Sequence, residues 1–247
     1  MVSFIPQGRM GNFLFQAAAC IAYAIDNGMQ FHIPNTTTND FWNPLYLQHL
    51  CNGSYNPHLN RIVYAEGNNY HYTPIPKYNC GDGCNIILNG YFQSEKHFIN
   101  HRDKIIELFG YPYKMNKGVV AIHNRRGDYL IYKDKHPYYQ EEWIGRAMNI
   151  FPGFHFRFFS DEISYAKEKF AGRDDCSFSE GNTIEQDLIE ISQCEHHINS
   201  SSTFSWWGAW LNRNKEKIVV TPAQWFTQNW GGLNTKDVIP DEWLKLD

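Results

Sequence analysis

Apolar and polar positions along the chain fall into blocks that predict strands and helices in alternation. Val2-Ser3-Phe4-Ile5 reads as a short strand, and Gln7 to Asn12 as a glycine-bearing turn. From Phe13 to Asn27 apolar residues lie on every side (Phe13, Leu14, Ala17, Ala18, Ile21, Ala22, Ile25), the pattern of a buried helix. Gly28 stands where a left-handed residue closes such a helix. Gln30 to Ile33 gives another strand, ended by Pro34. Residues 35–85 show little periodicity and predict loops with short elements. Ile86 to Phe92 returns as a strand, and Ser94 to Phe109 predicts a helix with Ser94 as its N-cap. The stretch from Gly110 to Gly118 is the expected boundary between two domains, 1–115 and 116–247, the last segment of the second packing back on the first.

The second half alternates more cleanly. Val119-Val120-Ala121-Ile122 is a continuous apolar run and predicts a buried strand. A helix is expected from about Tyr139 to Ile150, then a strand over Phe154–Phe159 ending at Ser160-Asp161, then a helix from Glu162 to Phe170. Cys176-Ser177-Phe178 reads as a strand. Thr183-Ile184-Glu185-Gln186 is a capping-box pattern opening a helix to Cys194. His196 to Asn199 predicts a short strand, Trp206 to Leu211 an aromatic helix, Ile218 to Pro222 a strand, and Pro240 to Leu246 a terminal helix. The sum is an α/β fold without internal repeats.

Composition narrows the class only a little. At 247 residues the chain is long enough for one large or two small cores. Aromatics make up 16%, a surplus that suits carbohydrate handling and equally suits core building. A net charge of −4 argues against a general nucleic-acid or anionic-membrane surface. No run approaches the roughly 18–20 apolar residues of a membrane span, and the N-terminus lacks signal-peptide character, so the expectation is a cytoplasmic protein with at most peripheral membrane association. In that compartment the six cysteines are expected as free thiols. Cys80 and Cys84, with a His such as His71, resemble half a zinc site, but no second pair stands at matching spacing, and no metal is expected.

The candidate chemistry centres on His123-Asn124-Arg125-Arg126-Gly127-Asp128-Tyr129. Two adjacent arginines at the C-terminal mouth of a buried strand are costly unless they face an anion, and in open α/β sheets that mouth is where ligands bind. Guanidinium groups grip phosphate oxygens bidentately, so a pyrophosphate fits them. The bland alternative is a basic surface turn. Gly8 and Gly11 permit close backbone approach at a helix N-terminus, which attracts anions, although any tight strand–helix turn uses glycines. Ser200 to Ser205 place hydroxyls at a strand–helix junction, where they donate to phosphate or simply cap. Asp161 stands at another strand mouth, able to meet a base or ribose or merely to cap a helix.

Three blocks taken together carry a resemblance. Gly8-Arg9-Met10-Gly11-Asn12-Phe13-Leu14-Phe15-Gln16, then His123-x-Arg125-Arg126-Gly127-Asp128-Tyr129, then Asp187-Leu188 with Ser192-x-Cys194-x-His196 and Ser202-Thr203-Phe204-Ser205-Trp206-Trp207-Gly208-Ala209-Trp210-Leu211, are similar to the signatures of the α-1,2-fucosyltransferase family, glycosyltransferase family 11. Trp225-Phe226 resembles the family's closing element. The resemblance implies two facing Rossmann-like domains (the GT-B fold), in a soluble form of bacterial or viral type. It implies inverting, metal-independent transfer of L-fucose from GDP-β-L-fucose to a sugar hydroxyl, O2 of a terminal galactose, on a glycan acceptor.

On this basis Arg125 is the expected diphosphate clamp, with Arg126 supporting it. His123 is expected to position the donor, and Asp128 is the candidate base. Ser202, Thr203, Phe204 and Ser205 are assigned to the donor's phosphate and ribose, and Asp161 to guanine or ribose. Gly8, Gly11 and Asn12 are expected to close over the diphosphate. Trp42, Tyr46, Tyr55, Tyr70 and Tyr72 are candidates for shaping an acceptor site or for irregular cover. One departure stands out: Ser200-Ser201 replace the family's usual Ala-Asn, removing an amide near the donor. The competing readings are a transferase for another GDP-sugar or linkage, and a GDP-sugar-binding protein without turnover.

Overall fold

The computed structural model describes residues 1–35, 50, 55–67, 70–79, 83–109, 111–230 and 232–247. The chain forms two compact units, Met1–Tyr111 with Leu233–Pro240, and Pro112–Gly232 with Asp241–Asp247. Both are α/β, and every named strand pairing in them is parallel.

The first unit is built on β1 (Val2–Phe4), β2 (Asn60–Ala65) and β3 (Cys84–Asn89), in the order β1-β3-β2. Its long helix α1 (Met10–Asp26) is buried on nearly all sides, as its apolar run predicts. Gly28 follows its C-cap at φ 62°. α1 begins at Met10, so Gly11 and Asn12 lie in its first turn and not in the preceding loop. The strand expected over 30–33 reduces to one bridge between Phe31 and Val2. β2 was not foreseen: as an edge strand it buries little, and its apolar positions give a weak signal. The helix expected from Ser94 starts as two 3-10 turns, Glu95–His97 and Ile99–His101, and becomes α-helical only at α2 (Arg102–Phe109). Phe98 causes the break. Its backbone leaves the helical region (φ −147°) while its ring is buried near Phe15, with centroids 6.0 Å apart. Ser94 caps as expected, its Oγ accepting from Lys96 N at 3.3 Å.

The second unit holds a six-stranded sheet. Its elements are β4 (Asn116–Asn124), α3 (Gly127–Ile131), α4 (Glu141–Met148), β5 (His155–Ser160), α5 (Ile163–Phe170), β6 (Cys176–Phe178), α6 (Ile184–Gln193), β7 (Cys194–Ile198), α7 (Thr203–Leu211), β8 (Val219–Pro222) and β9 (Leu244–Leu246). The strand order is β6-β5-β4-β7-β8-β9. Counted from β4 this is 3-2-1-4-5-6, the doubly wound order of dinucleotide-binding sheets. β4 is buried on both faces. Val120 and Ile122 join the cluster with Trp143, Ile144 and Met148 of α4 and Phe170 of α5, while Ala121 faces Ile191 of α6. The capping box at Thr183 is fully formed. At Gly208 any Cβ would collide with the Ile191 side chain, so glycine sets how closely α7 approaches α6.

Two expectations fail here. The terminal helix over 240–246 is instead β9, pairing Val220 with Leu244 and Pro222 with Leu246. So short a segment makes a marginal helix, and one more strand completes β8's hydrogen bonds. The cysteines are not all free: Cys84 is in a disulfide, while Cys20, Cys176 and Cys194 are thiols. The expectation rested on compartment, an argument that says nothing about which sulfurs meet. Trp42, Tyr46, Cys51 and Cys80 lie outside the described residues.

Candidate donor site at the β4–β7 switch point

In the second unit the sheet reverses direction of growth between β4 and β7, with β5 and β6 on one side and β8 and β9 on the other. A crevice opens at the carboxyl ends of the strands at such a point. The His123–Tyr129 block leaves β4 there, and the Ser200–Ser205 block leaves β7. The topology thus brings together two blocks some 75 residues apart in the chain: Arg125 N donates to Ser200 Oγ at 3.3 Å, and Tyr129 Oη donates to the Ser201 carbonyl at 2.9 Å.

Arg125 is mostly buried and held between two carboxylates. Its Nη1 pairs with Asp161 Oδ2 at 2.8 Å and its Nη2 with Asp128 Oδ1, while the guanidinium lies 5.7 Å from the Tyr129 ring centre. Arg126 turns the other way. Its guanidinium stacks 3.4 Å from the Tyr165 ring centre, its Nε donates to Glu162 Oε2 at 3.1 Å, and its backbone N–H donates to Asp161 Oδ1 at 2.9 Å. One of its nitrogens, Nη1, is buried without a partner. Arg126 therefore ties the turn after β4 to α5. Gly127 is required beside it, since a Cβ there would meet the Asp161 carboxylate.

His123 points inward. Its Nδ1 bonds Ser205 Oγ at 2.5 Å and Ser200 Oγ at 3.2 Å. Burial, reinforced by the Arg125 charge, pushes its pKa down to about 3, so the ring is neutral. The Ser205 hydroxyl is spent on this contact and fully buried. Ser202 is the N-cap of α7 but makes no side-chain capping bond, which leaves first-turn N–H groups of a nine-residue helix without that cap, beside the mouth. Phe204 is half-buried against His123, with ring centroids 5.1 Å apart. Ser201, at the departing position, is buried and donates to the Gln224 carbonyl at 2.6 Å. It fastens the β7–α7 turn to the segment after β8.

A protein-family model, "Glycosyl transferase family 11", matches residues 1–247. The chain belongs to glycosyl transferase family 11. It is 33% identical over 181 residues to the alpha-1,2-colitosyltransferase of Escherichia coli, covering 64% of this chain and 61% of that protein. It is 30% identical over 192 residues to the O-antigen biosynthesis glycosyltransferase WbnK of Escherichia coli, covering 64% of this chain and 60% of that one. The family 11 chain thus spans about three-fifths of the length of these curated relatives. Among solved structures it is similar to POFUT1 in complex with GDP-fucose (TM-score 0.49, 10% identity, 88% of this chain and 96% of that one). It is also similar to the fucosyltransferase NodZ from Bradyrhizobium (TM-score 0.49, 12% identity, 84% and 92%).

Gly8, Gly11 and Asn12 of this family 11 chain belong to the first unit. Gly8 sits at φ 70°, and the Asn12 side chain occupies the space that a Cβ there would need. Asn12 Oδ1 accepts from Gln93 Nε2 at 2.9 Å. The residue that organises this turn is Gln16, to which the motif alone assigns no role. Gln16, wholly buried, accepts from Gln7 N at 3.1 Å and donates to the Gly90 carbonyl at 3.1 Å, joining the glycine turn to the end of β3. Glu162 and Tyr165, the partners of Arg126, carried no signal of their own. Among the described residues no group of three or more His, Cys, Asp or Glu side chains is placed to hold a metal ion. No helix among them is long and apolar enough to cross a membrane.

Proposed function

We propose that this chain is a GT-B transferase that moves L-fucose from GDP-β-L-fucose to O2 of a terminal galactose, with inversion and without a metal ion. The observation that carries the reading is the meeting, at the β4–β7 switch point, of the Arg125 turn with the turn that opens α7, where Arg125 N donates to Ser200 Oγ. Both favour a diphosphate. In this reading the nucleotide's oxygens replace Asp128 and Asp161 as partners of Arg125, and those carboxylates keep the guanidinium oriented until then. The acceptor hydroxyl oxygen bonds to the anomeric carbon, the bond from that carbon to the β-phosphate oxygen breaks, and the electron pair leaves with GDP. The hydroxyl proton passes to a carboxylate, for which Asp128 Oδ2 is the candidate in this unit. Arg125 and the α7 N–H groups stabilise the charge that develops on GDP.

Neutral His123 does not touch the donor in this scheme. It holds Ser200 and Ser205, and so fixes the turn that presents Ser202, Thr203 and Phe204. The name of one relative favours a second reading, in which the glycosyl group is colitose and the α-1,2 linkage is retained. The deciding measurement is GDP release from GDP-fucose in EDTA, with and without lactose. Acceptor-stimulated release that survives the chelator is expected. Release abolished by EDTA would overturn the metal-free scheme, and no release or binding of GDP-fucose would overturn the donor.

A further inference from the structure

The sheet of the first unit has its own mouth, built on a carboxylate. β2 and β3 are parallel neighbours ending at Ala65 and Asn89. Immediately beyond them Glu66 N donates to the Asn89 carbonyl at 2.9 Å. The Glu66 carboxylate faces the chain leaving β3, where Oε2 accepts from both Tyr91 N and Phe92 N at 2.7 Å. Phe92 lies at φ 52°, a region disfavoured for so bulky a residue. At Gly90 any Cβ would run into Glu66. The turn is shaped around this carboxylate, and such strain collects where ligands bind.

Clasping the turn uses only Oε2. Oε1 faces His97 Nε2 across 3.8 Å, too far for a hydrogen bond, and that nitrogen is buried without a partner. Burial holds His97 neutral, its pKa pushed down to about 4. A carboxylate oxygen and a neutral imidazole nitrogen thus face each other at 3.8 Å. The carboxylate oxygen left outside the clasp accepts from a hydroxyl. Beside them the rings of Tyr70 and Tyr91 stack with centroids 5.9 Å apart, and Tyr72 meets His97 edge-on at 4.8 Å. The titratable groups facing Glu66 are Tyr64, Tyr70 and His97. Lys96 is paired with Asp237 at 2.5 Å, and among the described residues no lysine or arginine pairs with Glu66. A mouth of this kind repels anions and suits a neutral polyol.

We propose that this mouth is a saccharide site, in which Glu66 Oε1 accepts a hydrogen bond from a sugar hydroxyl whose ring lies against Tyr70 and Tyr91. The inference rests on the glycosyl-transfer reading only for the sugar's identity, a β-galactoside. Burial raises the Glu66 pKa to about 7, against the pull of the Phe92 and Tyr91 N–H groups. The charged acceptor is therefore present above that pH and lost below it.

The test is titration of the wild type and Glu66→Gln with methyl β-galactoside, lactose and N-acetyllactosamine at pH 6 and pH 8, followed by saturation-transfer NMR. Glutamine keeps an oxygen for the Tyr91 and Phe92 N–H groups, and matching melting temperatures verify the fold. Wild-type affinity is expected to rise about tenfold from pH 6 to pH 8. In the glutamine variant affinity is expected to fall about tenfold at pH 8, with the pH dependence gone. If that variant melts early, Tyr70→Ala, which leaves the clasp intact, is expected to weaken the same sugars severalfold. Absence of sugar binding to the wild type, or unchanged affinity in the variants, overturns the inference. GDP binding to the wild type is measured alongside. GDP binding without sugar binding sinks this inference alone, and Glu66-dependent sugar binding without GDP binding sinks the donor reading alone.

Discussion

The two units end their parallel sheets in opposite electrostatic ways. In the second, a guanidinium is buried and its charge is met by Asp128 and Asp161. In the first, a carboxylate is buried and met by two backbone N–H groups, with no ion-paired lysine or arginine among the described residues. The guanidinium stays charged whatever its surroundings, so it must always hold an anion and is ready to exchange one for another. The carboxylate has a second option, which is to take a proton. Burial thus makes one mouth a permanent anion site and the other a site whose charge depends on pH.

The sharpest way to break the comparison is Arg125→Ala. Under the proposed transfer, loss of this guanidinium is expected to lower kcat for GDP release about 10²–10³-fold. Steady-state kinetics at saturating GDP-fucose check this, and near-normal turnover would remove the clamp from the second mouth.

Next in size is the pH dependence of stability, which runs in opposite directions for the buried histidines, His97 of the first unit among them, and for Glu66. His123 and His197 are buried and neutral, their pKa values both pushed down to about 3. The unfolded chain protonates them near 6.5 and the folded chain does not, so their contribution is complete above that pH and is lost as pH falls from it toward 3. Each contributes a slope of about 1.4 kcal/mol per pH unit across that window. Glu66 acts the other way. Its folded pKa, about 7, lies above the unfolded value of 4.5, so its contribution is present below pH 4.5 and is lost as pH rises to 7. Urea unfolding against pH checks both signs. His197→Gln should flatten the acid limb, and Glu66→Gln should gain on the wild type at pH 8 relative to pH 5. Parallel curves for the wild type and Glu66→Gln would show that the first mouth is not tuned as described.

The smallest effect expected is that of Glu162→Gln. Glu162 pairs with Arg126 but is 43% exposed, so solvent screens the pair and its loss costs under about 1 kcal/mol. A larger loss in thermal melting would mean that Arg126 depends on this carboxylate more than on its stack over Tyr165.

Several features were legible because they are local. The apolar run 119–122 announced a buried strand, the all-round apolar pattern of 13–27 a buried helix, and Thr183 with Gln186 a capping box, all of which formed. The adjacent arginines were assigned as a clamp and its support from sequence, but the side chains each one meets were not legible there. Arg125 meets Asp128 and Asp161 while Arg126 stacks on Tyr165 of α5, because successive residues leave a strand on opposite sides. Ser205 and His123 were visible as chemical groups, whereas their bond to each other depends on β4 and β7 being neighbours.

What the sequence determined by itself is the series of elements and the residue types at the strand ends, because short-range periodicity and motif spacing act within a few turns of chain. Only the tertiary structure decided that residues 244–246 are a strand beside β8, that Gln16 binds Gly90, and that Glu66 clasps Tyr91 and Phe92. Each of these joins positions 24 or more residues apart, and each exists because a buried polar group must find its partner wherever the packing of the chain brings one.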